Sequence, residues 1–227
     1  MRFNSIIFHI SLFVLLCYSC KDDVRKNLQQ GEIHLKIEYN ASKGFHKEIM
    51  PSNMTISFKN NKVLFDMTSN IGNSGIIYLS NPDKDINDMY CRLLSLKYTY
   101  QANLNETLPG FELMSDPIFE KSDETKKICG YLCNCVKITF PENGNKRYKI
   151  WYTKDINIKD PNKSTPYEQI DGVLMDFVFL FDNVEMHFTA ENVYDMKIDD
   201  DIFERKTDFI KTDKSDIIDF IYKMLSF

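Results

Sequence analysis

The chain has 227 residues, 43% hydrophobic and 27% charged, with 28 Lys+Arg against 33 Asp+Glu and a formal net charge of −5 at pH 7. This mild acidity, without a basic stripe interleaved with aromatics, excludes nucleic acid as a partner. Seventeen Phe, twelve Tyr and ten Met against eight Gly exclude a disordered or low-complexity chain and supply the bulk for one core.

The chain opens with Arg2, followed by an apolar run of Ile6, Ile7, Phe8, Ile10, Leu12, Phe13, Val14, Leu15 and Leu16 broken only by His9 and Ser11. A basic start, a short apolar centre and a small residue before a cut are the layout of a signal peptide. The run is shorter than the ~20 residues of a bilayer span, and nothing later approaches that length. Small Ser19 precedes Cys20, whereas bulky Leu16 precedes Cys17, so Cys20 is the better cut position. Here the segment resembles a bacterial lipoprotein signal, which implies acylation of Cys20 and a membrane partner held through lipid. The alternative is an ordinary cleaved secretory signal. Each buried methylene contributes ~0.8 kcal/mol, so two or three chains anchor what one holds only marginally. The next residues, Lys21, Asp22 and Asp23, resemble the export tag of Bacteroidetes-type surface lipoproteins; read blandly, they are a solvated tether. The expected organisation is a signal over 1–19, a polar tether over 20–30 and one domain over 31–227. The expected address is the outer membrane, and display on its outer surface if the tag is read as such.

From there the chain reads mostly at period two. Ile33, Leu35, Ile37 and Tyr39 share one face of a strand. Met54, Ile56 and Phe58 lead to a turn at Lys59, Asn60 and Asn61, and Val63, Phe65 and Met67 return from it. Leu94, Leu96, Tyr98 and Tyr100 align. The segments "VKITF" and "RYKIWYT" flank Asn143-Gly144, the strongest turn signal in the chain. A third hairpin turns at Asp182-Asn183, with Val184, Met186, Phe188 and Ala190 alternating against Glu185, His187 and Thr189. Residues 173–181 are apolar on both faces, so this strand is expected to be covered on both sides. The expected cover is a helix over 214–226, where Ile217, Ile218, Ile221, Met224 and Leu225 recur at helical spacing behind Ser215 and Asp216 as caps.

The segments "EIMPSNMTISFKNNKVLFDM", "KKICGYLCNCVKITF", "YKIWYTKDINI" and "IDGVLMDFVFLFDNVEMHFTAENVYDMKIDDDIFE", in this order, resemble the GLPGLI-like family of envelope lipoproteins, although "IDGVLMDF" stands where the family signature would be. The resemblance covers about Gly31 to Glu204. It implies a mainly β (α+β) fold: a curved antiparallel sheet forming a half-barrel like the LolA/LolB lipoprotein carriers, with helices on its concave side.

No G-x-S-x-G elbow, H-E-x-x-H helix or glycine-rich phosphate loop is present, so no catalytic residue and no cofactor are expected. Cys129, Cys133 and Cys135 lack paired C-x-x-C knuckles, and His34, His46 and His187 are scattered, so no metal is expected. In an exported protein the cysteines suit either a disulfide, joining Cys91 to one of Cys129, Cys133 or Cys135, or roles as small buried apolar residues. The run Asp199-Asp200-Asp201 is expected to cap a short turn at Ile202-Phe203 and lacks the spacing of a calcium loop.

Two functions fit. In one, a concave apolar face lined by Phe58, Phe65, Leu96, Tyr98, Ile150 and Phe177 takes an acyl chain or another apolar ligand, as the resemblance to carriers implies. In the other, these aromatics are core, and the protein is a structural or protein-interaction lipoprotein.

Overall fold

The structure, a computed structural model, describes residues 27–41, 48, 50–69, 73–181 and 184–225. Cys20, Lys21, Asp22, Asp23, His46 and the Asp182-Asn183 turn lie outside the described residues.

The strands are β1 (Gln30–Ala41), β2 (Asn53–Lys59), β3 (Lys62–Thr68), β4 (Gly75–Asn81), β5 (Ile86–Leu93) and β6 (Leu96–Gln101). They continue with β7 (Ile118–Ile128), β8 (Tyr131–Phe140), β9 (Lys146–Thr153), β10 (Val173–Phe181), β11 (Val184–Tyr194) and β12 (Ile210–Lys211), before helix α1 (Lys214–Leu225). All belong to one open sheet in the order β12-β6-β5-β4-β3-β2-β1-β11-β10-β9-β8-β7. Every pairing is antiparallel except the short parallel one of β12 with β6. The mainly β expectation holds, with one C-terminal helix.

The hairpins form where turn chemistry permits them. Asn60, at φ 57°, sits between β2 and β3, and Gly144 and Asn145, at φ 63° and 57°, carry the turn before β9. Both are left-handed conformations that Gly and Asn adopt at low cost. The last residues of the stretch read as a tether belong to the fold. Leu28 is buried and bridges Ile156, and Gln30 already belongs to β1. Leu94 does not align with Leu96 and Tyr98; at φ 56° it turns the chain between β5 and β6.

One register row, Ile33–Ile56–Phe65–Tyr78–Met89–Tyr100, crosses six strands and defines an inner face. The opposite face of β3, β4 and β5 carries a second cluster, Leu64, Ile77, Leu79, Ile86 and Tyr90, closed by Ile198, Ile202, Phe203 and Phe209 of the segment that leads to β12. An ion pair between an exposed arginine and a buried carboxylate holds that segment in place. Arg205 donates from Nε to Asp88 Oδ2 at 2.8 Å and from Nη2 to Oδ1 at 3.2 Å, and Asp88 has no exposed side-chain surface. Tyr90 donates its hydroxyl to the same carboxylate at 2.7 Å and accepts the Lys206 N–H at 3.1 Å. The 3-10 turn Asp200–Phe203 forms as expected, but Asp199 does not cap it with its side chain. Asp200 instead accepts from Lys59 at 2.7 Å and Lys62 at 2.8 Å, which hold its carboxyl down to about 2.

Candidate functional site: the inner face and the folded-over hairpin

All nine residues of β10 are buried, as a strand covered on both sides requires. The cover differs from the one expected. Helix α1 lies on β5 and β6, where Phe220 meets Tyr98 edge-on at 5.0 Å between ring centroids. The aromatic row of β10 is instead closed by two loops. Phe111 packs on Phe179 at 5.0 Å and on Phe181 at 5.7 Å. Tyr167 lies over Phe177 and Phe179 and donates its hydroxyl to the Val178 carbonyl. Gly110, at φ 93°, brings the first loop down: a Cβ there would stand 2.6 Å from Phe181.

Of the six residues assigned to an apolar lining, Phe58, Phe65, Ile150 and Phe177 are buried in the main core and Tyr98 is half-buried against it. Leu96 is 48% exposed and leaves the set. The five others are spread over β2, β3, β6, β9 and β10 and do not converge on one cavity. Phe177 stacks on Phe188 at 4.9 Å and 11°, a filled contact rather than a groove. Among the described residues, one apolar gap lies at the far end of the inner face, where Met50, Met67, Met186 and Met224 gather beside Tyr39 and Leu225, and its volume is about 20 Å³. Such a space is the size of one water, so an acyl chain enters only if the last turn of α1 moves.

Among the described residues, Cys91, Cys129, Cys133 and Cys135 form no disulfide with one another. Cys91 lies on β5 and the other three on the β7–β8 hairpin, with seven strands between β5 and β8 in the sheet, so of the two uses open to these cysteines a disulfide from Cys91 does not form. Burial pushes the Cys133 thiol up to about 11 and raises Cys91 further, which keeps both protonated and unreactive.

A charged cluster that the sequence reading missed lies on the other side of β10. Asp176 Oδ2 accepts from Lys126 Nζ at 2.6 Å and Oδ1 pairs with His187 Nε2 at 2.7 Å, while the Lys126 ammonium sits 4.4 Å from the centre of the Trp151 ring. At the tip of the same hairpin, Cys129 donates its thiol to the Ala190 carbonyl of β11 at 3.3 Å. Lys126 and Cys129 thus reach β10 and β11 past the intervening strands, so the end of the β7–β8 hairpin folds over the sheet. The signal available was the lone acid in "VLMDFVFLF", because a buried carboxylate demands a cationic partner. Burial works to raise the Asp176 carboxyl, but hydrogen bonds from His187 and Lys126 outweigh it and hold it below the usual range. The same bond to Asp176 raises His187. Each charge here is already paired with another side chain, the arrangement of a structural clamp.

No known protein family matches the chain, and no curated protein matches it. Among solved structures, PNGF-II in two crystal forms is similar with TM-scores of 0.53 and 0.52 at 14% and 15% identity. The likeness shows the fold alone. It covers 86% of this chain and 34% or 33% of PNGF-II, so the chain spans about a third of that protein's length. A LolA superfamily protein, NE2245 from Nitrosomonas europaea, aligns with TM-score 0.34 at 11% identity over 81% of this chain and 94% of its own. LprF from Mycobacterium bovis aligns with TM-score 0.27 at 13% identity over 75% of this chain and 88% of its own. These two similarities are too slight to assign the sheet to a fold family.

Proposed function

We propose that the protein is a non-enzymatic envelope lipoprotein, tethered through acyl chains on Cys20, whose folded domain serves as an interaction or structural module rather than as a carrier of lipid within its sheet. The observation that carries this reading is the filled inner face: Phe58, Ile150, Phe177 and Phe188 are wholly buried by the chain's own side chains. A site evolved to take an acyl chain keeps a cavity of roughly 300 Å³ or more. The tether rests on the apolar run that ends at Ser19-Cys20. Native mass spectrometry of protein purified from membranes is the test. The expected mass is that of the chain with its covalent anchor and no further lipid; retained lipid in stoichiometric amount would overturn the reading.

The alternative, an apolar ligand beneath α1, is favoured by one observation. The gap under the last helical turn is lined by four methionines, whose flexible side chains repack at low cost. Met224→Trp fills that gap, so it would abolish such lipid retention and leave an interaction module unaffected.

A further inference from the structure

Between the β2–β3 turn, the end of β4 and the loop at 159–163 lies a recess of about 120 Å³. Its walls are Pro82 and Pro161, and its remaining lining is Asn61, Val63, Tyr78, Ser80, Lys159, Asp160 and Lys163. The floor is polar and fixed. Tyr78 and Ser80 are buried at 7% and 9% exposure, and the Tyr78 hydroxyl donates to the Lys163 carbonyl at 3.2 Å. Burial pushes that hydroxyl up to about 12, and hydrogen bonds from Ser80 and Ser164 work the other way. Tyr78 is therefore a neutral group held by its neighbours.

Many lysines of this surface are paired: Lys59 and Lys62 with Asp200, Lys84 with Glu204, Lys97 with Asp208 and Lys154 with Asp171. Lys159 and Lys163 line the recess, and neither ammonium is paired with a carboxylate among the described residues. Asp160 leaves the lining one positive charge in excess. Asn61 donates one amide hydrogen to Asp83 at 2.8 Å, which leaves its second for a ligand. At about 30 Å³ per water, the recess has the volume of roughly four waters, the scale of a tetrahedral oxyanion with part of its hydration.

We propose that this recess is a binding site for a single oxyanionic group, a phosphate or sulfate, held between Lys159 and Lys163 over the Asn61 and Ser80 side chains. The two prolines and the buried floor pre-form the site, so the ordering cost on binding falls mainly on the two lysine side chains. A free ion and the terminal phosphoryl group of a small molecule present the same oxygens, and the recess does not discriminate between them by charge.

The test is isothermal titration of the full-length protein with inorganic phosphate, sulfate and glycerol phosphate at constant ionic strength. Saturable one-site binding is expected, weakened roughly tenfold or more by Lys163→Ala and by Lys159→Ala, the scale of one charge-assisted hydrogen bond. Lys211→Ala, on the exposed short strand, leaves it unchanged. Both loop lysines are at the surface, and circular dichroism of each variant verifies the fold; Lys163→Arg, which keeps the charge, retains binding. Saturation by glycerol phosphate alone assigns the site to a phosphoryl group of a larger molecule, and equal saturation by all three assigns it to the free ion. Absence of saturable binding, or binding indifferent to both lysines, overturns the proposal.

Discussion

Lys126 on β7 and Asp176 on β10 meet at 2.6 Å although β8 and β9 lie between them in the sheet. The contact exists because the hairpin end bends over, and Trp151 fills the space beneath the lysine stem. A lysine closing on a carboxylate in this way holds an edge hairpin to the centre of the sheet.

This clamp is pH-dependent. His187 is raised by its bond to Asp176, so its contribution is fully present below the ordinary value of 6.5 and is lost as pH rises through the raised one. Asp176 is lowered, so its contribution is present above 3.8 and lost as pH falls through the lower folded value. The clamp is thus tightest from about pH 4 to about 6.5. Urea midpoints are expected to fall between about pH 6 and 8, and His187→Gln to flatten that decline. Asp176→Asn lowers stability by roughly 1–3 kcal/mol. A decline of equal slope in the His187 variant would refute the coupling.

Two apolar residues once grouped together separate cleanly. Phe177→Ala empties a fully buried position between Phe188 and Tyr167 and is expected to cost about 3–5 kcal/mol. Leu96→Ala, at an exposed position, shifts stability by no more than about 0.5 kcal/mol. Chemical denaturation of both variants measures the contrast, and comparable losses would place Leu96 in the core.

Arg205 neutralises the buried Asp88 and pins residues 196–209 over the second cluster. Arg205→Met leaves the carboxylate with Tyr90 but no cation, at a cost of about 2–3 kcal/mol. Limited proteolysis is expected to cut the variant within 196–209 before any strand, and the parent only on global unfolding. Identical cleavage patterns would count against the clamp.

The anchor is tested apart from the fold. Cys20→Ser is expected to move the protein from the detergent phase to the aqueous phase and to end labelling by fatty-acid analogues. Replacing Lys21, Asp22 and Asp23 together with alanine is expected to remove protease access on intact cells while leaving detergent partitioning unchanged. Retained access shows that those residues are a tether and not a tag.

Local chemistry alone determined the β2–β3, β8–β9 and β10–β11 pairs and the helix from Lys214 onward, because period-two or helical spacing and Asn or Gly turns act between residues close in the chain. It did not reveal β4, whose seven residues are all buried and show no alternation, or β7, where "IFEKSDETKKI" has the charge of a loop because it forms an exposed edge. Only the tertiary structure decided that α1 lies over β5 and β6 while Phe111 and Tyr167 close β10. The same holds for the inner face, packed rather than hollow, and for Asp176 meeting Lys126 fifty positions away. An amphipathic stripe states that a surface must be covered, not by what. That choice depends on register and chain path, summed over many small contacts between residues remote in sequence.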